Sequence, residues 1–146
     1  VTFKPNTDDM RDAPALTIVP ALVGGGAEVR VCDPQGKCEG ERLLPGVSWI
    51  ADPYEAAKDA DLLVILTEWN EFRALDLEAL SKTMRHAAMA DLRNVYEPED
   101  VQAAGFEAYI GVGRGSVNIS HPFAPMNSGF LHKEPGNGPD SSPRPQ

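Results

Sequence analysis

Leu62-Leu63-Val64-Ile65-Leu66 is the stretch of the sequence that decides the fold. An unbroken apolar run of this length is typical of a parallel strand that is covered on both faces. A helical pattern precedes it from Pro53 to about Lys58, with Asp52 placed to cap the first turn. A second helical pattern, Leu75–Met84, follows it. This alternation predicts an α/β domain, a Rossmann-like three-layer sandwich with a mostly parallel sheet.

The same alternation continues outward from this unit in both directions. The end of a strand is predicted at Val1–Phe3, and further strands are predicted at Glu28–Cys32, Val47–Ile50, Ala87–Ala90 and Phe106–Ile110. Short helices are predicted at Trp69–Arg73 and Pro98–Ala104. Another helix should begin at an Asp12 cap, with Pro14 in its first turn, and should end at Gly24. Because Pro20 removes one hydrogen bond inside this helix, we expect a kink there.

The composition changes after Arg114. Residues 115–146 are crowded with Pro, Gly and Ser, and their few large apolar residues follow no period. Such a segment cannot bury enough apolar surface to offset the entropy cost of ordering it. The sequence therefore predicts one folded domain over residues 1–114 and a disordered tail over residues 115–146.

The chain is acidic, with 22 acidic against 13 basic residues and a formal net charge of −9 over 146 residues. This balance disfavours binding to nucleic acid or to an anionic membrane, although a few local Lys and Arg residues can still hold a small anion. The longest apolar runs are far too short to cross a bilayer, and no signal-peptide pattern is present. Two cysteines are too few for a disulfide scaffold. A cytoplasmic setting is the simplest interpretation.

Basic side chains follow several of the predicted strands. Lys4 comes directly after the first strand, Arg11 ends the loop behind it, and Arg93 follows the strand near Ala90. Since ligands of open parallel sheets bind beyond the carboxyl ends of the strands, these charges predict a site that neutralises a diphosphate. For Lys4 taken alone, the simpler alternative is a solvated surface lysine.

The neighbouring polar and aromatic residues also have alternative roles. One alternative is that Glu68 and Asp91 accept hydrogen bonds from backbone N–H groups of the loops, or pair with Arg11 or Arg93. These roles fit the two residues at least as well as catalysis. Trp69 and Phe72 fit core packing better than a platform for a base.

No metal site and no cysteine chemistry are predicted. The three histidines are dispersed along the chain, at His86, His121 and His132. Cys32 lies inside a strand, and Cys38 lies in a loop without a neighbouring histidine. Residues 111–115, with sequence GVGRG, resemble a phosphate loop, but no helical pattern follows them.

Five motifs in order carry a resemblance to a known family. They are FKPNTDDMRDAP at 3–14, VCDP at 31–34, ADPYEA at 51–56, TEWNEF at 67–72 and DLRN at 91–94. Residues 1–114 resemble the C-terminal, UDP-binding domain of the UDP-glucose/GDP-mannose dehydrogenase family. The first motif and the TEWNEF motif look more like members that use UDP-glucose than members that use GDP-mannose.

The resemblance implies an activity and a set of binding residues. Members of the family oxidise the C6 alcohol of the sugar to a carboxylate in two NAD-dependent steps, through a thiohemiacetal on a cysteine. It implies that Lys4 contacts the UDP-sugar, that Phe3 lies beside it, and that Arg11 reaches NAD across a cleft between domains. Arg93 and Asn94 match a substrate-binding motif in which some relatives have two arginines, so that Asn94 departs from that version.

The resemblance also implies that the catalytic parts lie outside this chain. The NAD-binding domain, the catalytic cysteine and the helical region that forms a homo-oligomer belong upstream in this family, and neither Cys32 nor Cys38 has the catalytic motif. The chain begins at Val1 within a predicted strand, which suggests a fragment. We therefore expect UDP-glucose as the ligand, NAD as the cofactor of the longer enzyme, and no activity from the fragment. A GDP-mannose or UDP-N-acetylhexosamine dehydrogenase and a non-catalytic nucleotide-binding module remain as alternatives.

Overall fold

Helices and strands alternate along residues 1–118, the part of the chain that the computed structural model describes, with side chains given as far as Arg114. The helices are α1 Ala15–Gly24, α2 Lys37–Leu43, α3 Pro53–Ala57, α4 Asn70–Arg73, α5 Leu77–Thr83 and α6 Pro98–Ala103. The strands are β1 Arg30–Val31, β2 Ser48–Trp49, β3 Leu63–Ile65, β4 Ala88–Asp91, β5 Ala108–Gly111 and β6 Arg114–Asn118. Among these helices none has the length and hydropathy needed to span a membrane.

The strands form two sheets. In the larger sheet β3, β4 and β5 are parallel, and β6 pairs antiparallel with β5; β1 and β2 form a separate parallel pair. Ile65 lies opposite Asp91, and Asp91 lies opposite Gly111, so the carboxyl ends of β3, β4 and β5 are aligned. We call this end of the sheet the carboxyl edge. The predicted α/β fold with mostly parallel strands is confirmed.

Each sheet has its own apolar core. The larger core lies between β3, β4, β5 and the helices α3, α5 and α6, and includes Leu80, Met89 and Val101, each at most 1% exposed. The smaller core packs α1 against β1 through Val19 and Val31.

Thr2 connects the two sheets near their carboxyl ends. Its N–H and hydroxyl group donate to the Asp33 carboxylate at 2.9 and 3.1 Å, just after β1. Its carbonyl oxygen accepts a 2.6 Å hydrogen bond from the Thr67 hydroxyl, just after β3. Asp33 also accepts from the amino group of Val1 at 2.5 Å and from the N–H of Gly36 at 2.7 Å. Thr2 is thus held by hydrogen bonds with the side chains of Asp33 and Thr67, which follow β1 and β3.

These bonds correct one predicted strand. Val1–Phe3 was predicted as a strand, but its polar backbone groups bind side chains and a loop carbonyl rather than a neighbouring strand. The predicted Asp12 cap is also wrong, because Asp12 has a left-handed φ of 57° and α1 begins after Pro14 instead. Pro20 lies inside α1, which continues to Gly24.

Other local predictions agree with the structure. Asp52 caps α3, accepting from the N–H groups of Tyr54 and Glu55 at 2.7 and 3.1 Å. The other predicted strands are present: β1, β2, β3 and β5 are shorter than predicted, and β4 is shifted by one residue. The helix α2 was not predicted. Strand β6 runs through Asn118, so the first residues of the predicted tail belong to the sheet. The remainder of that predicted tail, residues 119–146, lies outside the described residues.

We predict that Thr67→Val destabilises the domain by roughly 1–3 kcal/mol, because the buried Thr2 carbonyl loses its hydrogen bond. The matched control is Thr83→Val, since the Thr83 hydroxyl donates only to Leu80 in its own helix and the residue is exposed. That variant should change stability by less than about 0.5 kcal/mol. Denaturant unfolding of the three proteins measures the difference. Equal losses in the two variants would contradict the bridging role of Thr67.

Candidate functional site

A loop spanning residues 3–11, called here the N-terminal loop, begins at the carboxyl edge. The N–H of Phe3 donates to the carbonyl oxygen of Asp9 at 2.9 Å, which brings the two ends of the loop together. Inside the loop, the N–H of Asp9 donates to the Thr7 hydroxyl at 3.0 Å. Met10 is 2% exposed and packs into the smaller core, so the loop is anchored at its far end as well.

Phe3 and Lys4 are the exposed side chains at the start of this loop. The Phe3 ring is 40% exposed, and the ammonium group of Lys4 lies 5.5 Å from its centroid, within the range of a cation–π contact. Within residues 1–118, no carboxylate forms an ion pair with Lys4. An exposed cation and an apolar ring therefore lie together beside the carboxyl edge.

Arg11 is held by a carboxylate of its own loop. Its Nε and Nη2 groups donate to the two oxygens of Asp9 at 3.0 and 2.9 Å, and its backbone N–H also donates to that carboxylate. The hydrogen bonds from Arg11 lower the pKa of Asp9 to about 2. Two of the three guanidinium nitrogens are therefore already engaged, and Arg11 orders the N-terminal loop.

Glu68 joins two arginines at the same edge. Its carboxylate accepts from Nη2 of Arg93 at 3.0 Å and lies 3.6 Å from Nη2 of Arg73. The expected alternative for Glu68, pairing with a nearby arginine, is thus confirmed. One carboxylate therefore serves two guanidinium groups at this edge.

Asp91 has a structural role. It is fully buried and accepts from the backbone N–H groups of Arg93 at 3.1 Å and Tyr96 at 2.9 Å. Burial, together with the negative charge of Asp91, raises the pKa of Tyr96 to about 12. The alternative in which Asp91 satisfies loop N–H groups is confirmed, and its bonds fix the turn that presents Arg93.

Asn94 is engaged within the protein. It has a left-handed φ of 51°, a conformation that Asn tolerates better than most residues, and its amide nitrogen donates to the carbonyl oxygen of Val112 at 3.0 Å. Its Oδ1 atom is buried and has no partner among the described residues. Residues 111–115, which resembled a phosphate loop, form the turn and the start of β6 in a β-hairpin, with Gly113 at a φ of 68°.

The aromatic and cysteine side chains near this edge are buried or half-buried. Trp69 is 1% exposed, which confirms core packing as its role, and Phe72 is half-buried. Burial raises the pKa of the Cys32 thiol, so Cys32 is a poor nucleophile at neutral pH. No cluster of three or more His, Cys, Asp or Glu side chains suited to a metal ion occurs in the described part of the chain.

Contacts through Thr67 and Glu68 place the start of the N-terminal loop and Arg93 beside the end of β3. Thr67 binds Thr2, which directly precedes Phe3 and Lys4, and Glu68 binds Arg93. The sequence did not identify Arg73 or the role of Thr2. A polar residue inside the apolar start of the chain was the only signal for Thr2, since its partners lie 31 and 65 residues away.

Comparisons with known proteins agree with this geometry. A family model described as the UDP-binding domain of the UDP-glucose/GDP-mannose dehydrogenase family matches residues 1–98. The UDP-glucose 6-dehydrogenase of Rhizobium meliloti (strain 1021) is 52% identical over 114 residues, which cover 78% of this chain and 26% of that protein. The chain thus spans about a quarter of the length of this relative.

Solved structures give the same fold. A UDP-D-ManNAc dehydrogenase from Pyrococcus horikoshii is 33% identical with a TM-score of 0.62, over 79% of this chain and 24% of that one. A UDP-glucose dehydrogenase from Pyrobaculum islandicum is 27% identical with a TM-score of 0.60, over 76% of this chain and 23% of that one.

We predict that the Asp9 carboxyl titrates near pH 2 and that Arg11→Ala moves its midpoint up toward 3.8, its ordinary value. Because the pKa is lowered in the folded protein, the ion pair with Arg11 is complete above about pH 3.8 and is lost as the pH falls through about 2. NMR titration of the Asp9 carboxyl carbon measures both midpoints. Arg42→Ala, which removes an exposed ion pair on α2, should leave the Asp9 midpoint unchanged. An Asp9 midpoint that is the same with and without Arg11 would refute the pairing in solution.

Proposed function

The chain belongs to the UDP-glucose/GDP-mannose dehydrogenase family, and we propose that it is the UDP-sugar-binding domain of an NAD-dependent UDP-glucose 6-dehydrogenase. The nucleotide sugar binds at the carboxyl edge, between the N-terminal loop and the turn that follows β4. The longer enzyme oxidises UDP-glucose to UDP-glucuronate.

The observation that carries this proposal is a group of basic side chains at one edge of an acidic protein. The chain has a net charge of −9, yet Lys4 lies exposed beside the edge, and Arg73 and Arg93 share one carboxylate there. A diphosphate placed at this edge gains charge-assisted hydrogen bonds from these groups. Elsewhere on the acidic surface it would meet repulsion.

Each binding residue has a role that follows from its surroundings. The Lys4 ammonium binds a phosphate oxygen or a sugar hydroxyl, and the exposed Phe3 ring packs beside the ligand. Arg93 binds the diphosphate while Glu68 holds its guanidinium in place. Arg11 reaches NAD only with its free Nη1 group, or after leaving Asp9. A direct substrate contact from the Asn94 nitrogen requires its bond to Val112 to break.

The oxidation itself depends on groups outside this chain. In the proposed enzyme, NAD bound mainly by another domain accepts the hydrides. A cysteine of the longer protein forms the covalent intermediate, because Cys32 is half-buried with its thiol 3.5 Å from the Ala51 carbonyl and neither Cys32 nor Cys38 has the catalytic motif of the family. The chain by itself is accordingly proposed to bind UDP-sugars without reducing NAD.

A second candidate is a dehydrogenase of an N-acetylated UDP-sugar. The Pyrococcus horikoshii protein, named as a UDP-D-ManNAc dehydrogenase, has a slightly higher TM-score than the UDP-glucose dehydrogenase of Pyrobaculum islandicum. The two candidates share the diphosphate contacts and differ only where the sugar lies. Competition between UDP-glucose and UDP-N-acetylmannosamine for the longer enzyme separates them.

We predict that Lys4→Ala weakens UDP-glucose binding by the longer enzyme about ten- to a hundredfold, since a charge-assisted hydrogen bond contributes roughly 1.5–3 kcal/mol. Arg11→Ala should weaken mainly NAD binding. Lys37→Ala is the control, because Lys37 is an exposed lysine on α2 that pairs with Glu41. Calorimetric titration of each ligand against each variant gives the four affinities and the control values.

Two outcomes would contradict the separate roles of Lys4 and Arg11. If both substitutions weaken the two ligands equally, or if neither changes any affinity, Lys4 and Arg11 only order the N-terminal loop. A loss of UDP-glucose binding in Lys37→Ala would show that the overall charge, rather than the carboxyl edge, holds the ligand.

A further inference from the structure

The β5–β6 hairpin closes at the carboxyl edge of the sheet, beside the turn that presents Arg93. Strand β5 ends at Gly111, which lies opposite Asp91 at the end of β4. The hairpin turn follows, and β6 then returns antiparallel to β5. This hairpin contains the GVGRG sequence of residues 111–115, and none of its residues takes part in the ligand contacts proposed above.

Asn94 connects the Arg93 turn to the hairpin. Its amide nitrogen donates to the carbonyl oxygen of Val112 at 3.0 Å. Its left-handed φ of 51° would be strained for most residues, although Asn tolerates it. Because the Asn94–Val112 bond joins residues that are 18 positions apart, it fixes the turn after β4 relative to the turn after β5.

Gly111 allows the hairpin to approach Asn94 closely. A Cβ atom at position 111 would lie 2.7 Å from Oδ1 of Asn94 and 3.0 Å from the hydroxyl oxygen of Tyr109. The first of these distances is shorter than real Cβ atoms show, so a larger residue at this position must displace a neighbour. The φ of Gly111 lies outside the left-handed region. A glycine is therefore required here because it lacks a side chain, and not because of its backbone conformation.

The hairpin also holds the far end of the same turn, at Tyr96. The carbonyl oxygen of Tyr96 accepts from the Tyr109 hydroxyl at 3.2 Å and from Nη1 of Arg114 at 2.9 Å. The N–H groups of Arg93 and Tyr96 donate to the Asp91 carboxylate at 3.1 and 2.9 Å. The turn that carries Arg93 is thus bound to the hairpin at two places and to the end of β4 between them.

The side chain of Arg93 is held less firmly than its backbone. It is 37% exposed, and its only partner among the described residues is Glu68, at 3.0 Å. Glu68 also lies 3.6 Å from Arg73, so its carboxylate is shared. Exposed ion pairs of this kind contribute little to order. The direction in which Arg93 reaches out therefore depends mainly on the hydrogen bonds that fix its turn.

We propose that the β5–β6 hairpin positions Arg93 for the diphosphate through the Asn94–Val112 bond, and that Asn94 is a positioning residue rather than a substrate ligand. This inference rests on the proposed function for the identity of the ligand. The GVGRG sequence, which resembles a phosphate loop, then serves a phosphate site indirectly. It supplies the close approach at Gly111 and the acceptor oxygen of Val112, while Arg93 makes the contact.

Two substitutions break the Asn94–Val112 bond from opposite sides. Asn94→Gly removes the amide and keeps the left-handed backbone free of strain. Gly111→Ala places a methyl group against Oδ1 of Asn94 and should rotate that side chain away, because a side-chain end moves more easily than the backbone. Gly111 is buried, so the added methyl group is kept away from a ligand. Ile110→Ala is the control, since Ile110 is the 51% exposed neighbour in β5 and takes no part in the bond.

The first measurement needs no nucleotide. In the unliganded 146-residue chain, hydrogen exchange at the amides of Arg93 and Tyr96 should become roughly two- to tenfold faster in both variants, because one hydrogen bond that restrains the turn is lost. Ile110→Ala should leave both rates unchanged. NMR measures these rates and also shows whether each variant is folded. If Gly111→Ala does not fold, Asn94→Gly decides the result.

Titration with UDP then tests whether the bond acts through Arg93. Asn94→Gly and Gly111→Ala should each weaken UDP binding roughly two- to tenfold, and the double variant should bind no more weakly than the weaker single variant. In a chain that also carries Arg93→Ala, the same substitutions should cause no further loss, since they act only by placing Arg93. A general defect of the fold would instead reduce the affinity by the same factor with and without Arg93.

The proposal is overturned if Asn94→Gly weakens UDP binding by the same factor in the presence and absence of Arg93, because Asn94 would then act independently of that residue. It is also overturned if the amides of Arg93 and Tyr96 exchange at the rates of the unsubstituted chain in both variants. If the unsubstituted chain binds no UDP, the proposed function fails, and the exchange rates alone decide whether the hairpin holds the Arg93 turn.

Discussion

The hydrogen bonds of Thr2 are the interaction on which the rest of the structure depends. One short segment binds Asp33 behind β1 and Thr67 behind β3, and so sets the positions of two sheets that have no direct strand pairing within residues 1–118. The residue that follows Thr2 begins the N-terminal loop. Folding and ligand binding are therefore linked at this point, because a shift of Thr2 moves Lys4 relative to Arg93. Buried polar bonds of this kind are specific in geometry and costly to leave half-formed.

The carboxyl edge combines cations with carboxylates that restrain them. Asp9 holds Arg11 and Glu68 holds Arg93, while within the described residues Lys4 has no carboxylate partner. Such pairs orient the guanidinium groups before a ligand arrives, which lowers the entropy cost of binding. They also compete with the ligand for the same donors. Lys4 is consequently the residue expected to contribute most to affinity, with the arginines contributing more to orientation.

Local patterns in the sequence predicted the features that depend on neighbouring residues, such as strands and helix caps. A strand within residues 62–66 and the Asp52 cap were predicted correctly, since each depends on neighbours in the chain. Cover on both faces of that strand was predicted wrongly, because Leu62 is 42% exposed and Leu63, Val64 and Leu66 are half-buried. The rule for open parallel sheets also directed attention to Lys4 and Arg93, which follow strand ends in the sequence. Thr2 and Asp33 were not recognised as partners, because side-chain bonds across 31 residues leave no periodic signal. The engagement of Asn94 by the β5–β6 hairpin was missed for a similar reason, as the glycines of that turn resembled a phosphate loop.

The most direct test of the account is a titration of the isotope-labelled chain with UDP, followed by NMR. If UDP binds at the carboxyl edge, the backbone amides of Phe3, Lys4 and Arg93 shift saturably. The amide of Arg85, which precedes β4 at the opposite end of the sheet and donates to Ala60, should not move. Saturable shifts centred on Arg85, or no saturable shift at the carboxyl edge at millimolar UDP, would contradict the claim that this edge is the nucleotide site.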